Sequence, residues 1–277
     1  MPDIACINGS FMPLAEARVP IEDRGYQFAD GVYEVIVAPQ GTPFLLEGHL
    51  ERLRDSLAGI DLTVDLDALK LPSLIAEGIE RCQHRDVMIY IQITRGTASR
   101  DHVYTRTLQP TLVMTFKPRP KYDPALKANG VALMTVQDIR WAKCNIKSIA
   151  LLPSVLLKNQ ARAAGFYDAL IVSPDDVVRE TSAANVFAIT AGVLRTPPRS
   201  TRILPGITRS HLLECAPRMD IRAEERDFTI AELRAADEVF ITSTTMNVMP
   251  VTKLDDAVIG TGQVGPITRK LEGCFPS

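Results

Sequence analysis

Hydrophobic and polar residues follow two different periods in the first 120 positions. Short runs of β-branched and aromatic residues predict strands at 31–38 (GVYEVIVA), 87–96 and 110–118. Leucines spaced by four, three and four residues predict one apolar helix stripe within 43–60, formed by Leu46, Leu50, Leu53 and Leu57. The dipeptide Asn8-Gly9 predicts a tight hairpin within CINGSFMPL.

The second half continues this mixture of strand and helix patterns. Strands are predicted at 130–137, 168–173, 185–190 and 237–243. Helices are predicted at 154–164, 207–217, 230–236 and 263–272. Thr229 followed by Glu232 is the spacing of a capping box, which supports the helix at 230–236.

A proline-rich segment separates the two halves. KPRPKYDP (117–124) has three prolines in eight residues, which is typical of a linker. We therefore expect an α+β protein with an N-terminal domain at 1–118, a linker at 119–124 and a C-terminal domain at 125–277. A ligand cleft would lie between the two domains.

Charge and composition exclude several classes of protein. The net charge of −2 provides no electrostatic footprint for nucleic acid or an anionic membrane. No apolar run approaches the roughly 20 residues that span a bilayer, and the N-terminus does not resemble a secretory signal. Five dispersed cysteines and four histidines lack metal-site spacing, so we expect a cytoplasmic protein without a disulfide framework or a protein-held metal.

One glycine motif is a weak signal. GTGQVG (260–265) matches G-x-G-x-x-G, but only 12 residues follow it, too few for a βαβ unit. We interpret it as a loop before the last helix.

Lys147 lies in CNIKSIALL (144–152), among mostly small or apolar residues. Two interpretations are open on this local pattern. The lysine stem could cover apolar surface while the ammonium reaches solvent. Alternatively, the amine could act in its neutral form, as a Schiff-base former or a general base, because desolvation lowers the pKa of a lysine.

Other polar groups stand where a core would not favour them. These are Tyr33 in a strand, Arg52 beside the leucine stripe, Arg95, Arg100 and His102 in RGTASRDH (95–102), Glu180 before a strand, LPGITR (204–209) and the hydroxyls of TSTT (242–245). Taken singly, each has a structural explanation. Tyr33 could be a packed ring, Arg52 a solvated helix charge and Glu180 a surface carboxylate in a turn. The hydroxyls of TSTT could bind their own backbone.

Together these groups suit one chemistry. Lys147 could hold a cofactor aldehyde, and Glu180 could keep a pyridine nitrogen protonated. Arg52, the helix start at Ile207 and Thr208, and Thr244 are groups of the kind that bind phosphate. Arg100, with His102 and Tyr33, could bind a substrate carboxylate. The set predicts a pyridoxal 5'-phosphate site.

The chain resembles the class IV (fold type IV) pyridoxal-phosphate aminotransferases, and within them the D-amino acid aminotransferases. The resemblance runs from about residue 4 to about residue 272, and RGTASRDH is its most discriminating segment. The other segments that carry it are EDRGYQFADGVYEV, IRWAKCNIKS, NVF (185–187), LPGITR and ITSTT.

The resemblance implies a fold and a role for each matching residue. The fold has a small N-terminal α/β domain, a larger C-terminal domain with a β-barrel-like core, and the cofactor in the interdomain cleft. Lys147 matches the catalytic Schiff-base lysine. The cofactor-binding positions would be Arg52, Glu180, Ser182, Leu204, Ile207, Thr208 and Thr244. The substrate-binding positions would be Tyr33, Arg100, His102 and Thr245.

The resemblance also implies a reaction: transfer of the amino group of a D-amino acid to a 2-oxo acid, with ping-pong kinetics, by an obligate homodimer. Branched-chain L-amino acid aminotransferase, aminodeoxychorismate lyase, (R)-amine transaminase, and a noncatalytic binding or regulatory protein remain alternatives. One departure from the family stands beside Glu180, where Ala183 replaces a serine that can donate a hydrogen bond.

Overall fold

The computed structural model describes residues 3–276, and contacts between Cα atoms divide the chain into two compact units. The first unit extends to Pro120 and also includes Ile146–Ala150. The second comprises Lys121–Asn145 and the chain from Leu151 onward.

The first unit is a five-stranded antiparallel sheet with helices. Its elements are β1 (Ile4–Ile7), β2 (Ser10–Pro13), α1 (Arg24–Phe28), β3 (Gly31–Ala38), α2 (Leu46–Gly59), α3 (Leu71–Cys82), β4 (Val87–Thr94) and β5 (Thr111–Pro118). The strand order is β2-β1-β5-β4-β3, so β3 lies at one edge. The core contains Leu50, Leu53 and Leu57 of α2, as the leucine stripe predicts.

The segment Ile146–Ala150 belongs to the first unit because it bonds to edge strand β3. Tyr33 N donates to Lys147 O at 2.9 Å, and Ile149 N donates to Gly31 O at 3.1 Å. An isolated antiparallel bridge joins Val32 to Ser148. The position of Lys147 therefore depends on a strand more than 100 residues earlier, which no local pattern at 144–152 indicates.

The second unit is built mainly on one large sheet. Its elements are α4 (Pro124–Asn129), β6 (Val131–Gln137), α5 (Leu152–Ala163), β7 (Asp168–Val172), β8 (Val178–Thr181), β9 (Asn185–Thr190), β10 (Val193–Thr196), α6 (Ile207–Cys215), β11 (Ala223–Glu225), α7 (Ile230–Arg234), β12 (Glu238–Ser243), β13 (Asn247–Leu254), β14 (Ala257–Val258) and α8 (Pro266–Glu272).

Six of these strands close into a ring. The sheet order is β11-β10-β9-β12-β13-β6-β7-β8. The last strand, β8, also pairs with β9, which closes the ring β9-β12-β13-β6-β7-β8. Glu180 of β8 pairs with Asn185 of β9 at this closure. The closed ring has an apolar core, while β10, β11 and β14 extend the sheet outside the ring. The expected α+β class with a barrel-like C-terminal core is confirmed.

Most of the predicted elements are present. The Asn8-Gly9 hairpin, the strand at 31–38, the helix with its leucine stripe and the Thr229–Glu232 capping box are confirmed. GTGQVG is a loop before α8, as expected. No helix in the part of the chain that the structure describes is long and apolar enough to cross a membrane.

Sequence patterns missed α1, α3 and α4 as well as five strands of the second unit. Helix α3 contains Gly78, which is usually a breaking signal, while its Pro72 stands in the first turn, where proline is tolerated. A Cβ on Gly78 would lie 2.0 Å from the Phe116 ring, so this glycine allows the helix to approach the sheet. Packing, rather than helix propensity, therefore explains the residue.

Candidate active site

Lys147 is held from two sides in the first unit. Its backbone N donates to Ser56 Oγ of α2 at 3.1 Å, and its carbonyl accepts from Tyr33 N of β3. The side chain is half-buried, and Nζ lies 4.2 Å from the centroid of the Tyr33 ring. The structure thus places two residues of the predicted site, Lys147 and Tyr33, in direct contact.

Arg52 lies in a buried charged network that sequence analysis did not identify. Glu34 of β3 is fully buried and accepts from Arg52 Nε at 2.7 Å and from Arg52 Nη2 at 2.8 Å. His49 Nδ1 lies 2.8 Å from the second carboxylate oxygen of Glu34. The interpretation of Arg52 as a solvated helix charge is therefore wrong, because only 6% of the residue is exposed.

The network sets the charges of its members. Burial alone would raise the pKa of Glu34, but the charge and hydrogen bonds of Arg52, together with His49, lower it to about 2. Burial lowers the pKa of His49 although Glu34 opposes this effect. Glu34 is thus a carboxylate that fixes the plane of the Arg52 guanidinium, and a neutral His49 donates to it through Nδ1.

A sequence signal for this network exists in hindsight. Val32, Glu34 and Ile36 alternate on the buried face of β3, so a carboxylate there requires a partner. His49 and Arg52 are three residues apart on α2, which brings both side chains to one helix face.

The loop between β4 and β5 carries the predicted carboxylate-binding residues. Arg100 and His102 are exposed. Arg100 Cζ lies 4.9 Å from the centroid of the Phe28 ring, and the His102 ring lies 5.4 Å from the same ring. The structure therefore brings these two residues together around Phe28.

Glu180 is buried in the second unit, at the closure of the ring of strands. Its carboxylate accepts from Arg140 Nη1 at 2.5 Å, from Asn185 Nδ2 at 3.1 Å and from the backbone N of Leu204 at 3.1 Å. The interpretation of Glu180 as a surface carboxylate is therefore wrong, because only 5% of the residue is exposed. Leu204 contacts Glu180 through its backbone.

Arg140 and Asp138 are further members of this group that sequence analysis missed. Arg140 Nε donates to Asp138 Oδ1 at 3.0 Å. Burial acts to lower the pKa of Arg140, but Asp138 and Glu180 outweigh burial and raise it. The guanidinium therefore holds two carboxylates and orients that of Glu180.

The helix that the sequence predicts from residue 207 is present. Helix α6 begins at Ile207 and Thr208, and its N-cap residue Gly206 makes no side-chain capping bond. A Cβ on Gly206 would lie 2.0 Å from Asn185 Oδ1. Glycine at this position therefore permits close contact between the helix start and the Asn185 side chain, which also binds Glu180.

The remaining predicted residues have partners of their own. Ser182 Oγ donates to the buried Asp168 at 2.5 Å. Thr244 and Thr245 lie in the turn between β12 and β13, and Thr245 Oγ1 is 2.8 Å from the hydroxyl of Tyr122. Ala183 is exposed.

Each unit carries donor groups of types that suit pyridoxal phosphate. In the first unit, the half-buried Lys147 offers an amine, the group that reacts with an aldehyde. In the second unit, the oriented carboxylate of Glu180 is of the type that accepts from a protonated ring nitrogen. Arg52 and the uncapped start of α6 are of the types that bind phosphate. Among the described residues, no cluster of three or more histidine, cysteine or acidic side chains could hold a metal ion.

Comparisons with known proteins identify the family of this chain. The family model for class IV amino-transferases matches residues 31–254. The D-alanine aminotransferase of Bacillus licheniformis is 41% identical over 265 residues, covering 96% of this chain and 93% of that protein. The D-alanine aminotransferase of Staphylococcus aureus (strain MSSA476) is 40% identical over 270 residues, covering 97% of this chain and 95% of that protein.

The chain is also similar to solved structures. A branched-chain aminotransferase of the thermophilic archaeon Thermoproteus uzoniensis, solved with norvaline, superimposes with a TM-score of 0.88 at 29% identity. That match covers 98% of this chain and 93% of that chain. Another branched-chain amino acid aminotransferase, solved with pyridoxamine 5'-phosphate, superimposes with a TM-score of 0.91 at 25% identity, covering 99% of this chain and 92% of that chain.

The Glu34 network generates a prediction about stability. We expect Glu34→Gln to lower the free energy of unfolding at pH 7 by about 3–5 kcal/mol, because Arg52 would keep a buried charge without its carboxylate. Since folding lowers the pKa of Glu34 from 4.5 to about 2, its stabilisation is complete above pH 4.5 and is lost as the pH falls toward 2.

Urea unfolding at pH 7 and at pH 3 measures this effect. The difference between the wild-type protein and Glu34→Gln should shrink at pH 3. Glu47→Gln, an exposed glutamate in the first turn of α2, is the matched control and should change stability little. An equal effect of both variants would contradict the prediction.

Proposed function

The chain belongs to the class IV amino-transferases, and we propose that it transfers the amino group of D-amino acids, such as D-alanine, to a 2-oxo acid such as 2-oxoglutarate. The observation that carries the proposal is the likeness, at about 40% identity and nearly full length, to D-alanine aminotransferases. The resemblance of RGTASRDH, with Arg100 and His102, to the same group supports it.

The enzyme uses pyridoxal 5'-phosphate, as class IV aminotransferases do. When bound, this cofactor withdraws electrons from the bonds at the substrate Cα and carries the amino group between the two half-reactions.

We propose that Lys147 is the catalytic residue. Its Nζ would hold the cofactor through the aldehyde carbon, and the same amine would move the proton at the substrate Cα. The bonds of its backbone to Ser56 and Tyr33 fix where the side chain begins. The Tyr33 ring beside Nζ restricts where the amine can go.

Glu180 accepts a hydrogen bond from the protonated ring nitrogen in this proposal. Arg140, Asn185 and the backbone N of Leu204 keep its carboxylate oriented. The Leu204 side chain would pack against the cofactor ring. Ser182 supports this region through its bond to Asp168, which fixes the chain just after Glu180.

The phosphate is bound, in the same proposal, by four groups. Arg52 supplies a guanidinium that Glu34 orients, the backbone N–H groups of Ile207 and Thr208 supply the helix start, and Thr244 supplies a hydroxyl. Tyr33, Arg100, His102 and Thr245 bind the substrate, with its α-carboxylate attracted to Arg100.

Branched-chain L-amino acid aminotransferase activity is the second candidate. Two of the similar solved structures, at 25% and 29% identity, are branched-chain aminotransferases, which favours this alternative. Their identity is well below that of the D-alanine aminotransferases. We give priority to the D-amino acid proposal for this reason.

We further propose that the enzyme is a homodimer of the cytoplasm. Three apolar residues on one face of α5 are exposed in the single chain: Leu152 (67%), Val155 (49%) and Leu156 (55%). A contiguous exposed apolar stripe of this kind suits a second copy of the chain. The exposed loop with Arg100 and His102 would then serve the neighbouring subunit.

The substrate proposal predicts a clear preference in a chiral assay. With 2-oxoglutarate as acceptor, D-alanine should be converted to pyruvate, and L-leucine should react at least about 10-fold more slowly in kcat/KM, a difference of about 1.4 kcal/mol. Pyruvate and 4-methyl-2-oxopentanoate formation measure the two rates. Faster reaction of L-leucine would reverse the order of the candidates.

The assignment of the catalytic lysine predicts the site of covalent attachment. Borohydride reduction followed by peptide mass spectrometry should place the cofactor on the peptide with Lys147. Lys147→Ala should lose this adduct and the turnover of D-alanine, while its fold is retained by circular dichroism. Lys143→Ala, an exposed neighbouring lysine, is the matched control and should keep both. An adduct on another side chain would refute the assignment.

The dimer proposal predicts a change in sedimentation. Leu156→Glu should convert the protein to monomers and reduce D-alanine turnover, because burying a carboxylate in the α5 stripe is unfavourable. Val258→Glu, at an exposed apolar residue of β14 outside the stripe, should remain dimeric and active. A wild-type protein that sediments as a monomer would refute the proposal.

A further inference from the structure

The tip of the loop between β4 and β5 is held by a buried arginine outside the loop. Arg24 of α1 is only 3% exposed. Its Nη1 donates to the carbonyl O of Asp101 at 2.6 Å, and its Nη2 donates to that of His102 at 3.4 Å. These carbonyls belong to the segment that carries Arg100 and His102.

Arg24 also contacts the ring around which those two residues gather. Its Cζ lies 4.8 Å from the centroid of Phe28, and Arg100 Cζ lies 4.9 Å from the same centroid. The His102 ring is 5.4 Å from it. Phe28 therefore contacts three cationic or ionisable side chains, and a guanidinium over an aromatic face is an attractive arrangement.

The charge of Arg24 is balanced by Asp30, which also binds Arg95 at the base of the loop. Asp30 Oδ2 accepts from Arg24 Nε at 2.8 Å and from Arg95 Nε at 2.9 Å. Burial would raise the pKa of Asp30, but the two arginines lower it, so the carboxylate remains charged. Arg95 in turn donates to the carbonyls of Ile60 and Asp61, which anchors the base of the loop.

The backbone around Arg24 runs beside the same loop. Arg24 N donates to Gly96 O at 2.9 Å, and Asp23 forms an antiparallel bridge with Thr97. Asp23 also caps α1 by accepting from Gly25 N. Arg24 thus projects from a fixed helix start, and one guanidinium joins Asp30, two loop carbonyls and the Phe28 ring.

We propose that Arg24 and Phe28 are positioning residues for substrate recognition, because they hold Arg100 and His102 in the arrangement that binds the substrate α-carboxylate. This inference rests on the proposed function. A lysine could not replace Arg24, since a single ammonium cannot bind Asp30 and both carbonyls in a planar fork. The two residues act through the loop and do not touch the reacting atoms.

The experiment uses the cofactor-loaded enzyme and the variant Arg24→Lys. We expect the KM for D-alanine to rise on the order of 10- to 100-fold while kcat changes little, because misplaced groups weaken substrate binding. Phe28→Ala should act in the same direction. Phe28→Tyr keeps an aromatic ring and should behave like the wild-type enzyme, as should Arg85→Lys at an exposed site.

A second readout separates recognition of the carboxylate from general damage. Aminooxyacetate carries a carboxylate and hydroxylamine does not, and both react with bound pyridoxal phosphate with a change in absorbance. Arg24→Lys should slow the aminooxyacetate reaction and leave that of hydroxylamine unchanged. Hydrogen exchange of the amides at 98–103 should become faster.

The outcomes distinguish this inference from the proposed function. The inference would be overturned if the KM for D-alanine of Arg24→Lys and Phe28→Ala stayed within twofold of the wild-type value. It would also be overturned if these variants slowed the reactions with aminooxyacetate and hydroxylamine equally. A wild-type enzyme that leaves D-alanine unchanged would overturn the proposed function. In that case, if Arg24→Lys still slowed the reaction with aminooxyacetate but not the reaction with hydroxylamine, the positioning role of Arg24 would stand.

Discussion

The buried contact of Glu34 with Arg52 and His49 is the constraint on which the first unit's candidate site depends. A carboxylate on the core face of β3 is tolerated only because a guanidinium and an imidazole of α2 satisfy it. The same contact joins β3 to α2. Lys147 takes its position from those two elements, through Tyr33 and Ser56.

Arginine–carboxylate contacts recur beside several of the predicted functional side chains. Arg140 orients Glu180 and also binds Asp138. Arg24 and Arg95 share Asp30 beneath the loop with Arg100 and His102. A guanidinium has several donors in one plane, so it can hold two partners at once with defined directions. These supporting arginines keep the proposed cofactor and substrate ligands in fixed positions without contacting the chemistry themselves.

Much of the fold could be predicted from local patterns. The hairpin at Asn8-Gly9, the strand at 31–38, the leucine stripe of α2 and the Thr229–Glu232 cap all depend on neighbouring residues, and all are present. Strands β8, β10 and β11 were missed because their patterns are only three or four residues long, and helix α3 was missed because it contains Gly78. Contacts with distant parts of the chain stabilise them instead, as Gly78 against Phe116 illustrates.

The sequence by itself determined the α+β class, the main elements and the family, because periodicity and motif residues are local properties of the chain. It also singled out Lys147, Glu180 and Arg52. Only the tertiary structure decided that Arg52 is bound to Glu34, that Glu180 is oriented by Arg140, and that Lys147 lies along β3. Those contacts join residues 18 to more than 100 positions apart, and a buried charge finds its partner through folding rather than through sequence spacing.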